Sequence, residues 1–210
     1  MQKKVIPILA SERYYQKTNK RYVYNIMPIE NIPSVLMRGI VCYDYMSDIK
    51  HSSVAMNEIQ ERRNEVNIPN GLPLHKYANL YFTYNNPMLY KRQDEAESLC
   101  VLALSSKVLD LDGCVVSDRN ASVSLVRFYS PIEGMEELNF DIIHAKYWNS
   151  EDIFEKRRNK AIKCAEILVP YCIPSDYIVG AYVVNEKSRE LLASKGFDKQ
   201  IEVRASVFYR

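Results

Sequence analysis

The sequence predicts an α+β protein, and three observations carry that prediction. Strand-length segments rich in β-branched, aromatic or other apolar residues recur at residues 22–27, 79–84, 98–104, 166–170 and 177–184. Other stretches repeat their apolar residues at helical spacing, as Ile32, Val35 and Leu36 do. The composition, 47% hydrophobic and 26% charged over 210 residues, is that of a folded soluble chain with a sizeable core. With no repeat, no low-complexity tract and no linker, residues 1–210 read as one domain.

Taken in order, residues 1–20 form a loosely held arm or a short helix, and residues 22–27 a strand. Residues 28–38 open a helix that docks on a sheet, which Gly39 closes as a left-handed C-cap. Residues 44–53 break both periods and read as a loop long enough to cover a ligand. Residues 55–65 are helix-compatible, residues 68–73 a Pro/Gly turn, and residues 79–84 an aromatic strand that stops at Asn85-Asn86-Pro87. The run at 98–104 is apolar throughout, as in a strand buried on both faces. Residues 108–117 read as a turn flanked by short strands, and residues 118–122 as a polar loop. A helical stretch at 151–165 starts acidic and becomes basic before the strand at 166–170. After the strand at 177–184, Asn185 caps a helix through Leu192, which Gly196 closes. Ile201, Val203, Ala205 and Val207 alternate with polar residues, which predicts a strand.

The bulk numbers narrow the function classes. A net charge of +2 sets up no global field for nucleic acid or membrane, so any polyanion site is local. No run of about 18 apolar residues predicts a membrane span. The basic N-terminus has an apolar patch broken at Pro7 and is not read as a signal peptide. Five widely spaced cysteines suit neither a metal site nor a disulfide framework, and predict reduced thiols in a cytoplasmic setting. Sixteen tyrosines fill a β-rich core and its rim, and some are placed to stack on unpaired bases. The six glycines form neither a G-x-G-x-x-G nor a P-loop, which excludes a conventional dinucleotide fold and a kinase.

Several residues carry a choice between surface and site. Arg62 and Arg63 lie in a charged helix, where Glu58 supports Arg62 at i,i+4 spacing. Five cations fall within the eight residues 156–163, namely Lys156, Arg157, Arg158, Lys160 and Lys163. They form either a solvated helix face or a phosphate-binding surface. Tyr147 and Trp148, just upstream, offer rings for bases. Glu166 opens a strand, a position usually at the surface.

The segments NEIQERRNEVNIPNGLPLHKYANLYFTYNNPMLYK (57–91) and Cys164-Ala165-Glu166-Ile167-Leu168-Val169 resemble the DarT family of nucleic-acid ADP-ribosyltransferases. The resemblance spans residues 22–208. It implies a fold in which two small mixed or antiparallel β-sheets, with flanking helices, form a cleft for NAD+. It implies Glu166 as the catalytic glutamate, stabilising the oxocarbenium-like ribose left when nicotinamide departs and assisting proton loss from the attacking base. It places an arginine at the NAD+ site, Arg63 in the family register with Arg62 as the alternative; a guanidinium fork suits a phosphate or ribose hydroxyls. Asn25, Met27, Asn31, His75 and Tyr81 are the further NAD+ contacts implied. His75 and Tyr77 match the family turn, and Asn86-Pro87-Met88-Leu89 matches its "SPML" with Asn for Ser. Tyr147, Trp148, Arg157, Arg158, Lys160 and Lys163 are the expected nucleic-acid contacts. Asn25 and Asn120 stand where relatives carry histidine, and an amide keeps the hydrogen bonds without titrating.

The activity implied is transfer of ADP-ribose from NAD+ to thymidine or guanosine in single-stranded DNA. The setting implied is that of a toxin paired with a macrodomain ADP-ribosylglycohydrolase antitoxin. No metal is expected. Two rivals remain, an RNA-directed transferase in phage defence and an inactive binding module of the same fold. A nuclease ranks last, because the sequence has no clustered carboxylates for metal ions.

Overall fold

A computed structural model of the chain describes residues 8–46 and 57–210. Eight helices and ten strands are assigned among them. They run α1 (Ala10–Thr18), β1 (Tyr22–Pro28), α2 (Ile32–Arg38), β2 (Ile40–Val41), α3 (Asn57–Asn64), β3 (Tyr77–Tyr81), α4 (Pro87–Lys91) and β4 (Leu99–Ser105). There follow β5 (Val115–Ser117), β6 (Phe128–Tyr129), α5 (Pro131–Glu137), α6 (Phe140–His144), α7 (Ile153–Ile162), β7 (Glu166–Pro170), β8 (Cys172–Ile173), β9 (Ile178–Val183), α8 (Glu186–Ser194) and β10 (Gln200–Val203). The architecture is α+β, as the sequence predicts.

The main sheet has the order β10-β9-β4-β1-β3-β7-β5-β6, and β2 pairs with β8 in a second, two-stranded sheet. The β9–β10 pair is parallel and the other pairs are antiparallel. The ladder is strong on either side of β1 and β3 and nearly absent between them. β1 and β4 match seven residues, from Tyr22↔Ser105 to Pro28↔Leu99. β3 and β7 match five, from Tyr77↔Pro170 to Tyr81↔Glu166. β1 and β3 share one matched pair, Tyr24↔Tyr81. The eight strands therefore behave as two half-sheets that diverge beyond one junction, and the divergence opens a cleft.

Packing follows strand alternation. On one face Val23, Leu80, Leu102 and Ile167 join a core that includes Tyr14 of α1, fully buried with its ring 5.6 Å from those of Phe82 and Phe140. On the other face Ile26, Tyr81, Leu99 and Val101 pack with Val207 and Phe208. Burial of a ring such as Phe208 contributes roughly 2–3 kcal/mol.

Several boundaries differ from the sequence reading for physical reasons. The N-terminal arm is the helix α1, tied down by Tyr14 and by Ser11, whose N–H donates to Asp110 Oδ1 at 3.1 Å. The alternation at 201–207 does not continue as strand. β10 ends at Val203, and residues 205–208 wind into a 3-10 turn, so that the consecutive Val207 and Phe208 both reach the core. The aromatic strand runs over 77–81 rather than 79–84. The segment before β5 is a 3-10 turn at 106–110 instead of a strand. Most of the loop at 44–53 lies outside the described residues. Helix α5 had a legible signal in Ser130-x-x-Glu133, which forms a capping box with Pro131 in the first turn.

Candidate active site

Glu166 is the first residue of β7 and lies directly across from Tyr81, at the end of the β3–β7 ladder. Its side chain is fully buried. A buried carboxylate needs partners; two segments provide them and a third holds the Glu166 backbone. Arg63 Nη1, from α3, contacts Oε2 at 3.0 Å and Oε1 at 3.2 Å. The backbone N–H of Ala121 donates to Oε1 at 2.9 Å. The Glu166 N–H donates to Ser117 Oγ at 3.1 Å, and Ser117 Oγ donates to the Arg119 carbonyl at 2.6 Å. Residues 117–121 thereby hold both ends of Glu166. Arg63 is 8% exposed, so the pair sits at the floor of the cleft.

The turn before β3 positions this floor. Asn70 takes a left-handed φ of 56°, and the Leu72 N–H donates to the Tyr77 hydroxyl at 3.2 Å. A Cβ on Gly71 would stand 2.8 Å from that hydroxyl, so the turn needs glycine for close approach. His75, in the same turn, is buried with its ring 4.4 Å from that of Tyr43. Burial, and then the Arg63 charge, hold its pKa below the usual histidine value. Beyond β3, Asn86 Oδ1 accepts from the Met88 and Leu89 N–H groups at 3.1 Å, and its amide donates to the Thr83 carbonyl. Asn86 therefore caps α4 through its side chain.

Arg63 lines two adjoining cavities. The first, about 170 Å³, lies between β1, α2 and the 74–76 turn, and its wall includes Asn25, Met27, Asn31, His75 and Asn79. Three buried polar atoms there have no partner among the described residues, namely Asn25 Oδ1, Gln60 Oε1 and His75 Nε2. Such atoms are uncommon in native structures and their clustering marks a polar ligand site. Asn25 is held by its other end, Nδ2 donating to the Asn79 carbonyl at 3.0 Å across the diverging strands. The second cavity, about 350 Å³, lies between α4, α7 and the 120–123 segment, with Tyr81, Met88, Asn120, Arg157 and Lys160 in its wall. Burial, and then Glu166, raise the Tyr81 pKa far above the usual phenol value. Pro87, Lys91 and Lys160 continue from it into a third cavity of about 1090 Å³, which holds Tyr90, Tyr147, Trp148 and Tyr209. Lys20, Lys91, Lys146, Lys156 and Lys160 line that groove, and among the described residues no carboxylate does.

The structure thus sorts the expected contacts. Met27, Asn31 and His75 face the first cavity, Asn25 and Arg63 face the first two, and Tyr81, Arg157 and Lys160 face the second. Tyr147, Trp148 and again Lys160 face the third. Arg158 lines none of the three; it is an exposed side chain with Glu155 at 3.9 Å. Lys163 is 1% exposed. Its ammonium donates to the Ile143 and Ala145 carbonyls at 3.0 and 2.5 Å, which makes it a brace between α6 and α7 rather than an open phosphate contact. Sequence reasoning did not single out Gln60, Asn79, Ser117 or Ala121. Ser117 and the Ala121 amide carry no side-chain motif and become visible only once β5 and β7 pair.

The family model described as "ssDNA thymidine ADP-ribosyltransferase, DarT" matches residues 24–209. A curated relative from Thermus sp. (strain 2.9), a DNA ADP-ribosyl transferase, is 30% identical over 186 residues, covering 81% of this chain and 86% of its own. A Thermosipho africanus (strain H17ap60334) protein, a DNA ADP-ribosyl transferase–DNA ADP-ribosyl glycohydrolase fusion, is 30% identical over 170 residues. That match covers 78% of this chain and only 42% of the fusion, so the chain spans less than half of that relative. The solved structure of Thermus sp. 2.9 DarT in complex with ADP-ribosylated ssDNA superposes with a TM-score of 0.76 at 28% identity, covering 91% of this chain and 97% of that one.

Proposed function

The chain belongs to the DarT family, and from that premise we propose that it transfers ADP-ribose from NAD+ to a nucleobase of single-stranded DNA. The observation that carries the reading is the buried Arg63–Glu166 pair, whose arginine lines both of two adjoining cavities of different character while its carboxylate lies beneath their walls. NAD+ is the substrate that suits the first cavity. Its amide and hydroxyl groups match the unpartnered Asn25, Gln60 and His75 atoms, with Arg63 at the shared wall. The acceptor base occupies the second cavity, and the flanking strand follows Lys160 into the basic aromatic groove.

Glu166 is bonded to Arg63, a side chain that the donor and acceptor cavities share. As the C1′–nicotinamide bond breaks, its carboxylate stabilises positive charge developing on the ribose. A ring nitrogen of the base forms the new bond at C1′ and gives up its proton to the Glu166 carboxylate as nicotinamide leaves. Arg63 and the Ala121 N–H hold the carboxylate in place, so no reorganisation is needed when charge develops. The relatives support the acceptor class: one is named for DNA, and the other is fused to a DNA ADP-ribosyl glycohydrolase. That fusion supports a toxin role opposed by a macrodomain glycohydrolase. Residues 1–210 act as one transferase domain in the cytoplasm, consistent with five free thiols. The test is intact-mass analysis of short DNA and RNA single strands after incubation with NAD+, with Glu166→Ala as control. One added ADP-ribose on DNA, absent with the variant, is expected; a gain on RNA alone would move the acceptor to RNA.

A further inference from the structure

Asn120 sits in the wall of the second cavity, one residue from the amide that pins Glu166. Its orientation is fixed by chemistry. The Ser122 N–H, which can only donate, reaches Asn120 Oδ1 at 2.9 Å, and the Ser122 hydroxyl reaches the same oxygen at 2.6 Å. The oxygen end is therefore occupied inside the loop. The backbone N–H of Asn120 donates to the Ala161 carbonyl at 3.0 Å, which ties the loop to α7. The Nδ2 end has no protein partner among the described residues and is not a buried orphan, so it offers donors only. No aspartate or glutamate among the described residues lines this cavity.

We propose that Asn120 is a specificity-determining residue, whose side-chain N–H reads the ring carbonyl of a lactam base. This deepens the acceptor reading above and rests on it. Thymine O4, uracil O4 and guanine O6 are acceptors at the position where cytosine and adenine carry an amino donor. The first group accepts from Nδ2; the second sets donor against donor. The same contact places the base nitrogen beside that carbonyl at the end of the cavity nearest Glu166. The rule excludes cytosine and adenine without any motif in the surrounding strand.

The test is a chemical double-mutant cycle. The base modified by the wild-type enzyme is identified by fragmentation of an ADP-ribosylated oligonucleotide. That base is then replaced by its thiocarbonyl analogue, 4-thiothymine or 6-thioguanine, a poor acceptor at the same position. The thio-to-parent ratio of kcat/KM is compared between wild type and Asn120→Ala, so that any intrinsic reactivity of the analogue cancels. One lost hydrogen bond predicts a ratio about threefold to tenfold lower for the wild type than for the variant. Equal ratios in the two enzymes, or modification of cytosine or adenine by the wild type, overturn the proposal while leaving the transferase reading intact. Absence of wild-type transfer to any strand overturns both.

Discussion

Arg63 meets Glu166 through a single nitrogen, Nη1, which contacts both carboxylate oxygens at 3.2 and 3.0 Å. The contact is end-on, so the guanidinium fork is not closed over the carboxylate. An ammonium can reproduce one charged nitrogen but not the rest of the fork. Arg63→Lys is expected to fold with modest loss of stability and to lose most ADP-ribosyl transfer. Arg63→Ala leaves the Glu166 carboxylate buried with the Ala121 N–H as its remaining described hydrogen bond, and is expected to cost about 3–5 kcal/mol. Urea unfolding beside an oligonucleotide transfer assay separates the two; equal activity in the lysine variant and the wild type would refute this role.

Glu166→Gln keeps the shape and an acceptor for the Ala121 N–H but removes the charge. Transfer should fall by about a hundredfold or more, the scale of losing a preorganised electrostatic group. A fall in kcat with KM for NAD+ nearly constant is the expected signature. Retained kcat would mean that another group stabilises the ribose.

Lys160 and Lys163 are three residues apart in sequence and opposite in setting. Lys160 lines the second and third cavities. Lys163 is buried beneath Trp148, and burial lowers its pKa to about 8. Lys160→Met is expected to reduce the slope of log K for single-stranded DNA against log salt by about 0.7. Lys163→Met should leave that slope unchanged. A salt titration of strand affinity decides between them.

Asn86 is fully buried and caps α4. Asn86→Ala should cost about 1–2 kcal/mol, and Asn86→Ser distinctly less, because serine still accepts from the first turn. Similar unfolding midpoints for the two variants would show that the cap is not the source of stability.

Acid should weaken the fold through His144, whose pKa is pushed down to about 3, first by burial and then by Lys20 and Lys163. An unfolded imidazole binds its proton near pH 6.5. Between those values the unfolded state holds more protons, so stability falls as pH falls through this window. His144→Leu should flatten the decline, read as urea midpoints from pH 7 to pH 4. An unchanged slope would show that the folded imidazole titrates normally.

Much of this was legible in the sequence because it depends on local signals. The Asn185 cap, the Gly39 and Gly196 helix ends and the apolar β4 run each express a preference that neighbours do not override. Glu166 and Arg63 stood out through motif and register, 103 residues apart, and the fold joins them. What stayed hidden depends on tertiary contact. The alternation at 201–207 gave way because Val207 and Phe208 serve one core cluster together. Lys163 reads as one of five cations until α6 presents two carbonyls to it. Ser117 and the Ala121 amide act through positions no side-chain pattern announces.

The single Tyr24↔Tyr81 junction has an evolutionary consequence. Where β1 and β3 part, each presents an inward edge to the cleft, and main-chain groups on such an edge are available to a ligand. Every residue carries the carbonyl and every residue but proline the N–H, so these groups survive nearly any substitution. A binding surface built partly from peptide units is tolerant of drift, so donor capture can persist in relatives that share 30% of their residues. Selection is then free to act on the few side chains that choose the acceptor.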